Sequence, residues 1–474
     1  MSQVTADPVA QGISEALNEV KFSRFHFRAI VTAGMGFFTS AYDLCVIGTA
    51  AALIDPIWHL QAADTSLLVA ASLAATFVGA FVFGRLADVI GRKSIYGIEA
   101  ILMSIGAIGS AFCPNLFWLV VCRVIMGFGI GGDYPLSAVI MSEYANRKDR
   151  GKMVGMVFSC QALGFLAGPL LAVILLAAGV GHDLAWRILL GVGAAPSLAV
   201  IFLRRTMPES PRWQARVSGN KYGAAADMAK YTKGLASVTH VNGRDPRINA
   251  SLSKYAVTLI GTAGAWFALD YAFYGNSVCM PLIMKGIDPT ADLLANLAWG
   301  AVIFGAFAVP GYIGAFMFAD KIGRKRLQIL GFIMMAISFG AIGLFPQVAS
   351  NFGLFVVLFG LSFFFTQFGP NVTTFILAAE LFPVNQRTTG HGISAGIGKV
   401  GACLGVFAFP WLNAQLGVYH ALLFAAGFAV LGMLLTLLIK EPAGKSLEDI
   451  SGEDSDKSEA MERPLKSRMT SLAA

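Results

Sequence analysis

Apolar residues in this chain come in long runs rather than in alternation. Runs of membrane-spanning length cover roughly 27–55, 64–87, 95–113, 115–142, 151–179 and 184–203. After a polar interval, six more cover roughly 255–280, 291–319, 327–346, 351–379, 388–414 and 418–439. A helix of about 20 residues crosses a bilayer. Backbone surrounded by lipid must satisfy its own hydrogen bonds, which leaves helices where strand alternation is missing. The pattern therefore predicts an all-α membrane protein with twelve transmembrane helices. It divides into a tail (1–26), a first six-helix bundle (27–203), a central loop (204–254), a second bundle (255–439) and a tail (440–474).

Composition supports this. Of 474 residues, 56% are hydrophobic and 13% charged, and the mean hydropathy is +0.66. Soluble domains carry about 25% charged residues, so lipid is the expected solvent. Charge then gives orientation. One set of loops holds Arg85, Arg92 and Lys93; Arg147, Lys148, Arg150 and Lys152; and Lys321, Arg324, Lys325 and Arg326. The first tail adds Lys21, Arg24 and Arg28, while the opposite loops hold almost none, Lys285 excepted. The positive-inside rule places both termini and the central loop in the cytoplasm. The chain is thus expected to be multi-pass in a plasma or bacterial inner membrane. Its net charge of +7 follows from this bias and does not imply nucleic-acid binding, which needs a solvated basic face. No charged segment leading into a short apolar core suggests a cleavable signal. Cys45, Cys113, Cys122, Cys160, Cys279 and Cys403 lie in or near spans without metal or disulfide spacing and read as packing residues. No metal or cofactor is expected.

The two halves repeat. "GRLADVIGRKS" (84–94) follows span 2 and "FMFADKIGRKR" (316–326) follows span 8, so that Asp88 plus 232 gives Asp320. "EYANRKDRG" follows span 4 and "ELFPVNQRTTG" follows span 10, so that Glu143 and Arg150 plus 237 give Glu380 and Arg387. This indicates an internal duplication, hence two pseudo-symmetric bundles with a site at their interface, a transporter layout. Asp88, Arg92, Glu143 and Arg150, with Asp320, Arg324, Glu380 and Arg387, are expected to form an ion-pair gate that latches the halves on the cytoplasmic side. Plain positive-inside charge is the alternative reading.

Ionisable groups at membrane depth cost roughly 2.5–3.5 kcal/mol on insertion scales, so each is a candidate. They are Asp43 in span 1, Asp133 in span 4, Asp270 in span 7 and Lys399 in span 11, with Tyr134, Gln161, Trp266, Tyr274 and Asn371 around them. The duplication links them: Asp43 plus 227 is Asp270, Tyr134 plus 237 is Asn371, and Gln161 plus 238 is Lys399. A shared midplane cavity explains these matches. Trp266, Asp270 and Tyr274 stand at i, i+4 and i+8 on one helix face. Other readings stay open: aromatic belt or bundle packing for Trp266 and Tyr274, a structural ion pair for Asp133, and a helix kink at "GPNVTTF" for Asn371. The sequon at Asn371 is too deep in the membrane to be glycosylated.

The donors suit a small oxyanion. Asp270 repels a full anion unless it, or the ligand, carries a proton. Hydrogen phosphates keep one near neutral pH; sulfate largely does not. A carboxyl group shielded from water also serves as a proton carrier.

"GRLADVIGRK" resembles the signature loop of the major facilitator superfamily, and Arg123 with Gly127 resembles its R-x-x-x-G in span 4. Phe316 departs from the leading glycine in the second copy, which puts a tight helix contact there in question. "PESPRW" (208–213) and "KSLEDISGE" (445–453) are shared with sugar porters and their relatives. "GGDYPLSAVIMSEYA" (131–145) closely resembles the signature of the phosphate:proton symporter family, and "AYDLCVIG", "WFALDYAFYG" and "FGPNVTTFILAAELFP" are also similar to it. The resemblance spans nearly all of 30–450 and implies the major facilitator fold with proton-coupled phosphate import. It implies phosphate binding by Tyr134, Gln161, Trp266, Asp270, Tyr274 and Asn371, a proton path through Asp43, Asp133 and Asp270, and accessory charge at Lys399. The partners are then inorganic phosphate, protons and the lipid bilayer, and the functional unit a monomer. The central loop, about 50 residues, is shorter than expected of fungal and plant members, which fits a bacterial relative. An organic anion or sugar carrier, and a phosphate-sensing receptor, are the alternatives. A membrane enzyme lacks a nucleophile–base pair, metal cluster or cofactor motif. Gly127, Gly129 and Gly132 match G-x-G-x-x-G, but they lie inside an apolar span rather than after a strand, so they read as helix-packing positions.

Overall fold

The computed structural model describes residues 12–232, 247–288, 293–345 and 351–453, with residues 234, 290 and 347. Among the described residues, twelve helices are long and apolar enough to cross a membrane. Spans 1 to 6 are Arg24–Trp58, Ala70–Ile90, Arg92–Ala111, Leu116–Tyr144, Arg150–Ala177 and His182–Ser218. Spans 7 to 12 are Leu252–Val278, Ala295–Ile322, Arg324–Leu344, Phe352–Glu380, Arg387–Leu416 and Val418–Thr436. Large apolar side chains such as Ile174, Phe117 and Phe202 stay exposed on the outside, as lipid contact requires. Span 6, broken between Thr206 and Pro211, runs helical past residue 203 to Ser218. A further helix, Lys221–Thr232, follows. It packs with Ile13–Glu19 through Ile13, Leu17, Ala224 and Met228. Of the first and last tails, 1–11 and 454–474 lie outside the described residues, as do 233 and 235–246 of the central loop.

The duplication is built into local structure. Spans 4 and 10 begin alike: Asn115 caps the Trp118 amide at 3.3 Å and Asn351 caps Leu354 at 3.1 Å. Spans 2 and 8 each turn into the next helix at a glycine with φ 99°, Gly91 and Gly323. A Cβ at either would also meet a carboxylate oxygen at 2.5 Å, of Glu209 and Glu441 respectively. Each carboxylate accepts from the first free amides of the following span. Glu209 takes Arg92 and Lys93 at 3.2 and 3.0 Å; Glu441 takes Arg324 and Lys325 at 2.9 and 3.0 Å. Negative charge is favoured there by the helix dipole.

Glycines set how closely the helices approach. A Cβ at Gly127 would lie 2.2 Å from the Ser72 carbonyl of span 2, one at Gly129 2.7 Å from the Glu99 carbonyl of span 3, and one at Gly132 2.7 Å from the Phe83 ring. The G-x-G-x-x-G stretch is thus a packing device against two neighbours, spans 2 and 3. The bundles meet through spans 2 and 11, where a Cβ at Gly392 would lie 2.3 Å from the Ala80 carbonyl, and through spans 5 and 8. In the second pair Phe316 stands where Gly84 stands in the first, and Gly155 opposite it gives the room: its Cβ would be 3.0 Å from Phe316 Cβ.

Candidate functional site

Polar groups from six spans converge between the bundles. Lys399 Nζ lies 2.8 Å from Asp270 Oδ2, both side chains 1% exposed. The same ammonium donates to the Tyr274 hydroxyl at 3.1 Å and lies 4.8 Å from the Tyr134 ring centroid. Gln161 donates to the Tyr134 hydroxyl at 3.1 Å and accepts from the Tyr312 hydroxyl at 3.1 Å. Asn371 donates to Tyr312 at 2.9 Å and to Gln367. Span 10 supplies both amides because its backbone leaves the helix at Gly369 (φ −114°, ψ −105°) beside Pro370, in a wide turn over Gln367–Asn371. The kink expected there thus also turns the two amides into the cluster. Asp270 Oδ1 is buried and completes no hydrogen bond among the described residues, although the Trp266 indole lies toward the carboxyl. The cluster is therefore a neutral ion pair, ringed by hydroxyls and amides, with one idle acceptor.

An aromatic layer closes the cluster toward the end that carries the charged loops. Phe37 and Phe158 of the first bundle meet Phe375 of the second at 4.9 and 4.5 Å between centroids. Trp266 joins Phe375 at 6.4 Å and Tyr134 at 6.0 Å. Each such pair adds about 0.5–1.5 kcal/mol beyond area burial.

Of the sequence candidates, Tyr134, Gln161, Trp266, Asp270, Tyr274, Asn371 and Lys399 come together. Asp43 and Asp133 do not join them. Asp43 pairs with Arg123. Asp133 pairs with Arg204 at 2.7 Å and accepts from Ser137 at 2.7 Å. Arg204 also holds Glu99 at 2.8 Å. The offset of 227 for Asp43 slips by five residues from the 232 of the loop repeat. At 3.6 residues per turn that rotates the position by about 140°, so the Asp43–Asp270 match is one of depth, not direction. Sequence reasoning missed Tyr312, Gln367, Glu99 and Arg204. Glu99 is a buried acid in an apolar run, a signal that a cation had to be near.

At the charged end the expected gate residues interlock across the bundles. Glu143 takes Arg92 of its own bundle and Arg387 of the other, both at 3.0 Å. Glu380 mirrors it, taking Arg324 and Arg150 at 3.2 Å. Asp88 bonds Arg92 at 3.1 Å and the amides of Thr388 and Thr389 at the start of span 11, at 3.2 and 2.7 Å. Asp320 does the same for Arg324 at 2.6 Å and for Gly151 and Lys152 at the start of span 5, at 3.0 and 2.7 Å. Each bundle thus offers two carboxylates to the other's arginine and helix start.

The short helix Leu447–Ser451 reinforces this end. Glu448 pairs with Arg212, and Glu453 reaches Arg216 at 2.6 Å and Arg387 at 3.1 Å. Burial alone raises the Glu448 carboxyl, but Arg212 and Arg216 override it and hold it down to about 2. A depressed acid stabilises fully above its ordinary value of 4.5 and loses that contribution as pH falls through about 2. Glu448→Gln is therefore expected to lower the thermal midpoint equally at about pH 5.5 and pH 7.5, checked by melting the purified protein at both.

A family model described as "Sugar (and other) transporter" matches residues 29–453. The chain belongs to that family. This transporter is 37% identical to "Probable inorganic phosphate transporter 1-6" of Arabidopsis thaliana, over 93% of this chain and 96% of the relative. It is 35% identical to "Low affinity inorganic phosphate transporter 4" of Lotus japonicus, over 97% and 98%. Among solved structures it is similar to the major facilitator superfamily proton:xylose symporter XylE bound to 6-bromo-6-deoxy-D-glucose. There the TM-score is 0.77 at 21% identity, covering 90% of this chain and 98% of that one. The partially occluded inward-open XylE from E. coli gives 0.70 at 19%, over 88% and 99%. The fold is the major facilitator fold, with twelve spans in two bundles, and the transporter is not an enzyme.

Proposed function

We propose that this transporter imports inorganic phosphate with protons, by alternating access of the two bundles about the central cluster. The observation that carries this reading is the single ammonium of Lys399, shared between Asp270 and Tyr274 beside an unused Asp270 oxygen. While Asp270 is ionised, Lys399 is neutralised and the site offers an anion little. A proton on Asp270 frees the ammonium, and the carboxyl then donates to the ligand. Proton and anion therefore favour each other's binding, and by linkage the coupling is reciprocal. Phosphate is held by Lys399, Tyr134, Gln161, Trp266, Asp270, Tyr274 and Asn371, and Tyr312 completes the ring of donors. The requirement for coupling is physical: moving one negative charge inward against 100 mV costs roughly 2.3 kcal/mol.

Asp133 and Glu99 share the one guanidinium of Arg204, so this triad holds one excess negative charge and a single proton brings it to neutrality. Asp43 with Arg123 is balanced one to one. These groups form the proton path through the first bundle. The charged end faces the cytoplasm, with both termini and the central loop 204–254, and its ion pairs are the gate. Each chain contains both bundles (27–203 and 255–439) and a whole site, so a monomer suffices.

The test is uptake of radiolabelled phosphate by the reconstituted protein. External acidification is expected to drive it, a protonophore to abolish it, arsenate to compete, and sulfate and glucose not to. Uptake of glucose, or phosphate uptake indifferent to the protonophore, would overturn the reading.

A further inference from the structure

His391 lies on span 11, fully buried, and neither ring nitrogen completes a hydrogen bond among the described residues. The Phe375 carbonyl lies toward the ring without closing one. Its ring meets Trp266 edge-on at 5.5 Å and Phe375 at 5.2 Å, so it borders the aromatic layer. Buried polar groups are almost always bonded, and an unmade bond costs about 1–3 kcal/mol. The histidine carries that cost without serving the latch or the central cluster.

Its position suggests what it is kept for. His391, Ala395 and Lys399 stand at i, i+4 and i+8 on one face of span 11. The imidazole is about 12 Å along the axis from the ammonium, at 1.5 Å per residue. In the other direction Thr388 and Thr389 are held by Asp88, and Arg387 by Glu143. Opening the gate frees the helix start that carries His391. An anion leaving Lys399 toward the charged end passes this face. A neutral imidazole always offers one N–H donor, and here the backbone of Phe375 and of His391 itself lies toward the ring without completing a bond.

We propose that His391 is a second ligand for the transported anion, contacted on release between the Lys399 site and the opened gate. This rests on the phosphate reading above. In the closed state the ring is plain aromatic packing, and in the opened state it is a hydrogen-bond donor to phosphate.

The experiment compares phosphate binding to purified protein with net phosphate uptake in liposomes. His391→Phe keeps the ring and removes the donor. It is expected to leave affinity within about twofold, and to slow net uptake about tenfold, the worth of one hydrogen bond. His391→Gln restores a donor and is expected to recover most of the rate. Native rates in His391→Phe, or a Gln variant as slow as the Phe variant, would overturn the proposal. If His391→Phe does not fold, His391→Leu against His391→Gln makes the same comparison at similar volume. Failure of the phosphate reading itself is distinct: the native protein would then take up no phosphate.

Discussion

Asp270→Asn is expected to abolish acid-driven phosphate uptake. The substitution keeps the shape of the side chain and removes its proton. In the closed structure it also leaves Lys399 buried without a counter-ion, since the 2.8 Å contact to Asp270 is its one ion pair among the described residues. Removing one partner of a buried pair costs about 3–5 kcal/mol, so the variant should melt lower as well as fail to transport. The two losses separate in a double variant. Asp270→Asn with Lys399→Met removes the stranded charge, and the thermal midpoint should recover while transport stays absent. A single variant that still accumulates phosphate under an acid gradient, at even a tenth of the native rate, would remove Asp270 from the coupling role. A double variant no more stable than the single one would show that the pair is not the source of the cost.

Much of this was legible in the chain itself, for physical reasons. Lipid leaves the helix little choice, so span number and approximate limits follow from the apolar runs. The duplication was visible in loop charges, and it led from Tyr134 to Asn371 and from Gln161 to Lys399, side chains that the fold brings into one cluster. What escaped was pairing. Nothing local tells that Asp133 finds Arg204, 71 positions on, or that Asp43 finds Arg123, because such pairs depend on which helix faces which. Tyr312 escaped because one tyrosine in an apolar run resembles packing, and only span 10's break at Gly369 brings Asn371 to its hydroxyl. Arg204 lay beyond the apolar run expected to end span 6, and its guanidinium is buried only because Glu99 and Asp133 neutralise it. Where the repeat slips, as at Asp43, symmetry predicted depth and missed direction.

The latch is subject to an equally large perturbation. Glu143 and Glu380 each hold one arginine of either bundle in a fully buried setting. Glu143→Gln with Glu380→Gln leaves Arg92, Arg387, Arg150 and Arg324 buried with less countercharge. Asp88 and Asp320 still cover Arg92 and Arg324, but among the described residues Arg150 keeps only the Lys445 carbonyl, at 2.8 Å. When the charged end opens, all four arginines are hydrated, so the loss falls on the closed state alone. At about 3–5 kcal/mol for each broken pair, even one such loss moves the equilibrium by a factor of more than a hundred toward the open form. Ser142→Cys reads this out, since Ser142 bonds across the bundles to the Ala379 carbonyl at 3.2 Å and is buried. The background lacks the six native cysteines, so the thiol introduced by Ser142→Cys is the only one present. A hydrophilic thiol reagent applied from the charged end should label it slowly in the native latch and at least tenfold faster in the double variant. Net uptake should fall in parallel, because the binding site seldom returns to the outer face. Equal labelling of the two proteins would show that these ion pairs do not hold the end closed, and would leave closure to the aromatic layer and the glycine contacts of spans 2 and 11.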